Sequence, residues 1–322
     1  PRRQGLDDAA ISRETFSLGD AQLTIAREYG YASWPRLKTI VAEQSGQSPE
    51  LIHNDRIVDA AFRQAVDLVD EGNEAELKAH LDRHPDLIGK TVLFEGDNYF
   101  TRPTLIEFVA ENPVRQGQLP GNIVAIAKLI LDAGAHDNKE ALNRTVALVA
   151  SGRVPREAGV QSALIETLCH AGADPNAGLL PALSHGEFDA ARALLACGAD
   201  RNLFAVVALD DMKQVAQRLH NATSEQLQIA LALAALHGRT DMIERLLKAG
   251  ADPNRFNPEG VHSHCTPLHS AALAGHFETV KALVASGART DIRDIHHSAT
   301  AKDWANHAGH KNIVDFLNGL GS

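Results

Sequence analysis

The chain has 322 residues, of which 44% are hydrophobic and 22% charged, and its formal net charge at pH 7 is −10. This is the composition of an ordinary globular protein, and an acidic chain without a long basic run argues against a nucleic-acid partner. Three cysteines without paired spacing argue against a disulfide framework. Because no apolar run has the length of a membrane span and the N-terminal residues lack the core of a signal peptide, we expect a cytoplasmic protein without a membrane partner.

The first helical hairpin is predicted at residues 18–44. Gly30 is expected to end its first helix, and the second helix carries an apolar stripe at helical spacing. We expect this hairpin to cover one end of the fold. A peptide-binding role for Trp34 is the alternative.

Further hairpin patterns follow along the chain, and two inserts interrupt them. Residues 91–102 are aromatic and rich in turn residues, which predicts a projecting finger, and residues 113–122 lengthen the turn between two helices. Loops inserted into repeats collect on one face, often the binding face. The candidate binding residues near the first insert are Tyr99, Phe100 and Arg102.

The clearest pattern is HCTPLHSAALAGHFETVKALVASGAR at residues 264–289. Pro267 suits the first turn of a leading helix, where a missing N–H costs little. After a Gly-His turn, the second helix has the amphipathic spacing that buries Leu283. Gly287 then follows as a residue that can adopt the left-handed conformation at a helix end.

The run TPLHSAA, followed by GH and a helix that ends in GA, closely resembles the ankyrin repeat, a helical hairpin with a β-turn finger. This resemblance implies an all-α solenoid of about eight or nine hairpins with projecting β-turn fingers. The head segment IAREYGYASWPRLK, with REAGVQSALIETL and NPEGVHSHCTPLHSAALAGH, resembles a group of bacterial ankyrin-repeat proteins. Since an end repeat needs one polar face, we expect a helical cap and linker at residues 1–50 and the solenoid at residues 51–322.

Sequence motifs of catalysis are absent: there is no Gly-rich phosphate loop, nucleophile elbow, HExxH or paired CxxC. We therefore expect no organic cofactor. Histidine is the unusual residue, because nine of the sixteen lie after residue 226. Four of them occupy repeat turns, where a structural role is expected: His237, His269, His276 and His310.

A pair of histidines two residues apart is the strongest candidate for chemistry. On an extended strand His262 and His264 would point the same way. Aligning the next repeat sets His296 against His262, at a finger spacing on the order of 10 Å, and Asp294 adds a carboxylate. These four residues are candidates for a catalytic site, and the three histidines for a divalent metal site. The alternative is a polar finger surface or a hydrogen-bonded turn.

Three functional hypotheses remain open. The first is an interaction module that holds a protein or peptide in a concave groove. The second is a metal-assisted hydrolase, or an acid-base lyase or isomerase, that uses the finger histidines. The third is a small-molecule sensor or carrier with a pocket among the aromatic finger residues. The further candidate binding residues are Phe256, Asn257, Glu259 and His297.

Overall fold

The computed structural model describes residue 54, residues 57–94 and residues 99–320. The chain divides into two units at Val58 and Asp59, and the description below concerns the second unit. The predicted cap at residues 1–50 lies outside the described residues, so its helices and its boundary with the solenoid stay predictions. No helix in the described ranges is long and apolar enough to cross a membrane.

The second unit is built from short helices joined in hairpins. The α-helices are α1 (Ala60–Glu71), α2 (Glu74–Arg83), α3 (Ile123–Asp132), α4 (Lys139–Ala150), α5 (Arg153–Glu157), α6 (Gln161–His170), α7 (Pro175–Ser184), α8 (Phe188–Ala196), α9 (Leu203–Ala208), α10 (Met212–His220), α11 (Ser224–Leu236), α12 (Thr240–Lys248), α13 (Pro267–Leu273), α14 (Phe277–Ala285), α15 (Ala301–His307) and α16 (Lys311–Gly319). The 3-10 helices are Pro85–Ile88, Leu105–Ala110 and Ala135–Asp137. Over the described residues, strand-type pairing is confined to one bridge between Arg293 and Thr300. The predicted all-α class is confirmed.

The hairpins stack side by side, first helix on first helix and second helix on second helix. Helix α13 packs between α11 and α15, while α14 packs between α12 and α16. The 3-10 helix Leu105–Ala110 takes the place of a first helix between α1 and α4. One hydrophobic cluster runs through all hairpins from α9 to α16. Each hairpin therefore completes its core on its neighbours.

The repeat at residues 264–289 shows how sequence sets this geometry. Pro267 begins α13, and Leu283 of α14 is fully buried. Gly287 has the predicted positive φ, 93°. Gly275 turns the chain at φ 77°, and a Cβ atom there would lie 2.6 Å from Cε1 of His310 in the next turn. Glycine is thus needed both for the backbone conformation and for the approach of the next repeat.

Threonine caps begin several first helices. Thr266 is the N-cap of α13 and is hydrogen-bonded to the side chain three residues later, which is His269. Where the sequence has Glu107 instead of histidine, its carboxylate accepts from Thr104 N at 2.6 Å and from Thr104 Oγ1 at 2.8 Å. Glutamate and histidine therefore have the same role in this capping box, because both present a hydrogen-bond acceptor to the helix N-terminus.

Helix α9 is short, and the helices on either side of it contact each other. It has 6 residues, against 10 in α7 and 13 in α11. Because α9 is short, α7 also contacts α11 directly. His237 donates from Nε2 to the Leu183 carbonyl of α7 at 2.7 Å. The finger that follows α12 also reaches α7, where Ser184 Oγ donates to the Gly260 carbonyl at 2.7 Å. This finger carries two of the predicted site histidines.

The substitution Leu283→Ala should destabilise the second unit by about 2–5 kcal/mol, because it removes a fully buried side chain and leaves a cavity between neighbouring hairpins. The free energy of unfolding from urea denaturation measures the effect. Leu320→Ala is the control, since Leu320 is 48% exposed and should give a change well below that of Leu283. Equal effects of the two substitutions would contradict the assigned packing.

Candidate functional site

The predicted histidines lie where two fingers meet, at residues 253–265 and 288–300. We call His262, His264, His296 and His297 the finger histidine cluster. The fingers are bonded directly, because Ile295 N donates to the His264 carbonyl at 2.9 Å. The expected spacing on the order of 10 Å was therefore too large.

Ring contacts show which histidines are neighbours. The His264 and His296 rings are stacked, with centroids 4.6 Å apart and planes tilted by 34°. His262 meets His264 edge to face at 6.1 Å, and His297 meets His296 at 6.4 Å. The ring next to His296 is therefore that of His264, not that of His262, which the repeat alignment had set against it.

The backbone at His262 explains this difference. His262 has φ 54°, and its carbonyl accepts a hydrogen bond from Cys265 N at 3.2 Å, which closes a turn. The expected extended strand, with both imidazoles on one face, is therefore not formed. A left-handed conformation at a non-glycine residue gives little sequence signal, so spacing alone did not reveal it.

Asp294 holds the last finger together. It is 3% exposed, and its Oδ1 accepts from the backbone N–H groups of His296 and His297 at 2.9 and 2.7 Å. Its Oδ2 accepts from Ala299 N at 3.0 Å and from the Trp304 indole at 3.0 Å. Burial opposes ionisation, but these four donors outweigh it and lower the pKa of Asp294 to about 2. The carboxylate is thus an ionised anchor for the histidine-bearing turn.

Trp304 is a site residue that sequence reasoning missed. Its indole lies 5.6 Å from the His264 ring and 5.3 Å from His269, centroid to centroid. His269 is bonded at both nitrogens, since Nδ1 lies 2.8 Å from Thr266 Oγ1 and Nε2 donates to the Ala299 carbonyl at 3.1 Å. The sequence does contain a signal for Trp304. It lies four residues after the N-cap Thr300, where the first turn of α15 faces the finger.

A pocket of about 420 Å³ lies beside the cluster, on the first-helix side of the last two hairpins. Its walls include the His264, His297 and His307 rings, the Trp304 indole and the exposed end of Leu273. The pocket therefore combines apolar and aromatic surface with imidazole groups that can donate or accept a proton. Neither Leu273 nor His307 was among the predicted site residues.

Burial affects the ionisation of two of these histidines, His264 and His262. It lowers the pKa of His264, and His296 and His297 lower it further, while Asp294 opposes them. Burial likewise lowers the pKa of His262, with the neighbouring His185 and His264 acting in the same direction. Both imidazoles are therefore mainly neutral at pH 7. Throughout the described ranges, no group of three or more His, Cys, Asp or Glu side chains is arranged to hold a metal ion.

The candidate binding residues near the first insert differ in their exposure to solvent. Tyr99 is 67% exposed, with its hydroxyl bonded to Asn112, and Arg102 is also exposed. Phe100 is buried, with ring centroids 5.6 Å from Phe94 and 5.2 Å from Phe108. Phe100 and Phe94 are thus core residues rather than walls of an open pocket.

In the finger at residues 253–265, Glu259 is exposed and Phe256 is half-buried. Asn257 is buried and donates from Nδ2 to Ser270 Oγ at 3.1 Å, so its side chain ties the finger to α13. The structure brings the rings of His264, His296 and His297 together, and His264 and His297 line the pocket. The catalytic and metal-binding roles of the finger histidines and Asp294 stay predictions.

Comparison with protein families matches the chain to ankyrin repeats, in three copies, over residues 157–294 and 231–321. The chain is 30% identical to cyclin-dependent kinase 4 inhibitor B of Bos taurus over 146 residues, which are 45% of this chain and 93% of the relative. It is 29% identical to cyclin-dependent kinase inhibitor 2A of Homo sapiens over 116 residues, 27% of this chain and 74% of that protein. It is 36% identical to ankyrin repeat and KH domain-containing protein mask-1 of Caenorhabditis elegans over 93 residues, 29% of this chain and 3% of that protein.

Substitution Asp294→Asn should destabilise the second unit by about 1–3 kcal/mol at pH 7, because an amide cannot accept all four hydrogen bonds. The pKa of Asp294 is lowered on folding, from its ordinary value of 3.8 to about 2, so ionisation stabilises the fold above pH 3.8 and this contribution is lost as the pH falls toward 2. The difference between wild type and variant, from urea denaturation, should therefore shrink in that range.

The matched control is Asp291→Asn on the same finger, since Asp291 is exposed and pairs only locally with Arg289. It should leave the unfolding free energy nearly unchanged at pH 7. If Asp291→Asn lowered the unfolding free energy as much as Asp294→Asn, the anchoring role of Asp294 would be contradicted.

Proposed function

The chain belongs to the ankyrin-repeat family, and we propose that it is a cytoplasmic binding protein that holds a protein or peptide partner against its fingers and first helices. The names of two relatives describe inhibitors of cyclin-dependent kinases, which are protein partners, and this supports a protein partner in general. Membership of the bacterial group inferred from the head segment remains a proposal.

The observation that carries this proposal is where exposed apolar side chains lie. Leu93, Tyr99 and Ile295 are 59%, 67% and 65% exposed, and all three lie on fingers. Leu273, at the end of the first helix α13, adds to the same side. Apolar side chains form the buried core of protein interfaces, and tyrosine is enriched among the residues that contribute most to binding.

The outer surfaces of the second helices have a different character. They carry ion pairs within single helices, such as Lys78 with Asp82 and Lys281 with Glu278, at 2.9 and 3.0 Å. Exposed pairs like these contribute only about 0.3–0.5 kcal/mol and leave the surface hydrated. Met212, in the first turn of α10, and Leu320, at the end of α16, are exposed apolar exceptions. The contrast between the two sides favours the finger side for binding.

Affinity capture followed by a binding measurement tests the proposal. The double variant Tyr99→Ser, Ile295→Ser should weaken binding of the captured protein by about tenfold or more, because both changes remove exposed apolar contact groups. Lys281→Glu is the control on the opposite side and should change the affinity by less than about twofold. The proposal fails if Lys281→Glu abolishes binding and the finger variant binds normally.

The second candidate function is an enzyme with a histidine site, either a metal-assisted hydrolase or an acid-base lyase or isomerase. The observation that favours it is the 4.6 Å separation of the His264 and His296 rings. Two neighbouring imidazoles can chelate a divalent ion or pass a proton, and Asp294 fixes the turn that carries His296. Under this proposal His264 and His296 would be metal ligands, with His262 at the edge.

Calorimetric titration of metal-stripped protein with zinc, nickel or manganese tests the metal proposal. Wild type should bind one ion, and the double variant His262→Ala, His264→Ala should lose the binding heat. Asp291→Asn serves as a control that leaves the imidazoles unchanged. Equal heats, or no heat, for wild type and the double variant would exclude this candidate.

A further inference from the structure

We propose that Cys169 and Cys197 are a covalent modification site, at which a small disulfide such as glutathione disulfide oxidises the two thiols and links helix α6 to helix α8. Both cysteines are free, and both are partly exposed to solvent. The inference goes beyond the proposed binding function, because it concerns two second helices and not the fingers.

The fold brings the two cysteines together from neighbouring hairpins. Cys169 is the next-to-last residue of α6, and Cys197 is the C-cap residue of α8. These two second helices pack directly against each other. Cys169 lies three residues before Gly172, whereas Cys197 lies directly before Gly198, so the cysteines occupy different positions in their repeats. Spacing along the sequence therefore does not reveal the pair, which depends on how the repeats stack.

The two thiol groups interact directly. Burial is the largest effect that raises the pKa of Cys169, to about 12, and the charge and the side-chain hydrogen bond of Cys197 act in the same direction. Thiols that share a hydrogen bond are already neighbours, and a disulfide requires their sulfur atoms to approach to about 2.05 Å. We expect rotation of the two side chains to provide this approach within the native packing.

The reaction consists of two thiol–disulfide exchanges. In the first, the Cys197 thiolate attacks one sulfur of the small disulfide, forms a mixed disulfide and releases one small thiolate. In the second, the Cys169 thiolate attacks Sγ of Cys197 and expels the other small thiolate. The two small thiolates take up the two protons that the cysteines lose. Two cysteine thiols are thus oxidised to one disulfide, and one small disulfide is reduced to two thiols.

The order of the two steps follows from the environment of Cys169. Its raised pKa keeps the thiolate scarce at physiological pH, so Cys169 is a poor nucleophile toward a disulfide in solution. After the first step Cys197 is part of a mixed disulfide and carries no charge, which removes one of the effects that oppose ionisation of Cys169. The second step is also intramolecular, and the resulting high effective concentration compensates for the scarce thiolate.

The new bond would join two hairpins that otherwise hold each other by packing alone. It closes the chain from Cys169 to Cys197 into a loop, which reduces the conformational freedom of the unfolded state. In the cytoplasm, where we propose that this protein acts, thiols reverse such bonds, so the link would be transient.

Cys265 provides a control within the same chain. It is fully buried, and its thiol donates to the His262 carbonyl at 3.3 Å and accepts from Asn257 Nδ2 at 3.4 Å. A buried thiol with these internal bonds is not accessible to a small disulfide. We therefore expect Cys265 to stay reduced while the folded protein is oxidised.

Mass spectrometry of the full chain, treated with mixtures of oxidised and reduced glutathione and then quenched in acid, tests the inference. The digested wild type should contain the linked Cys169–Cys197 peptide, and excess dithiothreitol should remove it. Cys265 should be recovered as a free thiol. The urea midpoint of the oxidised wild type should lie above that of the reduced protein.

Two single variants separate the steps. Cys169→Ser should stop at the mixed disulfide, with glutathione attached to Cys197. In Cys197→Ser, attachment of glutathione to Cys169 should be at least about tenfold slower, because the thiolate of Cys169 is scarce. Oxidised glutathione should leave the urea midpoint of both variants below that of the oxidised wild type.

Absence of the linked peptide at every glutathione ratio would overturn the inference. Links from Cys265 in amounts similar to the Cys169–Cys197 link would also overturn it, because they would indicate reaction of unfolded chains. A urea midpoint that falls on oxidation would show that the native packing does not accommodate the bond, and this result too would contradict the proposed site.

Discussion

A hairpin of two short helices cannot bury its apolar face alone, and this constraint governs the second unit. Every first helix packs on another first helix, and the shared core passes without interruption from α9 to α16. Hydrogen bonds between hairpins accompany this packing. His276 donates to the Leu236 carbonyl and His310 to the Leu273 carbonyl, each at 3.0 Å. Turn histidines thus satisfy the carbonyl groups at the end of the preceding first helix.

The local features of the repeat could be predicted from the sequence because they depend on neighbouring residues. Pro267, Leu283 and Gly287 have the roles that helix starts, amphipathic spacing and left-handed helix ends assign to them. The fingers were less predictable. The direction of His262 depends on its positive φ, and the pairing of His264 with His296 depends on a bond between two fingers. Contacts of this kind are set by tertiary packing rather than by local pattern.

Histidine occurs in two different environments in this protein. Those in the turns, such as His237 and His276, are bonded to backbone carbonyls, and burial lowers the pKa of His237 to about 4, so it stays neutral at physiological pH. Those on the last two fingers lie at the surface beside Trp304 and a pocket. Residue type alone does not separate the two groups. What separates them is whether the ring nitrogens are already engaged by the fold.

The short helix α9 has a consequence for how the stack holds together. Its partner helix α10 buries only Val215, so the second helix of this hairpin contributes little core. A simple repeat array transmits stability only between adjacent units, and a weak unit would divide it into two independent parts. Here His237 bonds to Leu183 and Ser184 bonds to Gly260, and both contacts join elements on either side of the α9–α10 hairpin. These bonds couple repeats that are not adjacent in sequence, so the flanking hairpins are joined to each other as well as to the hairpin between them.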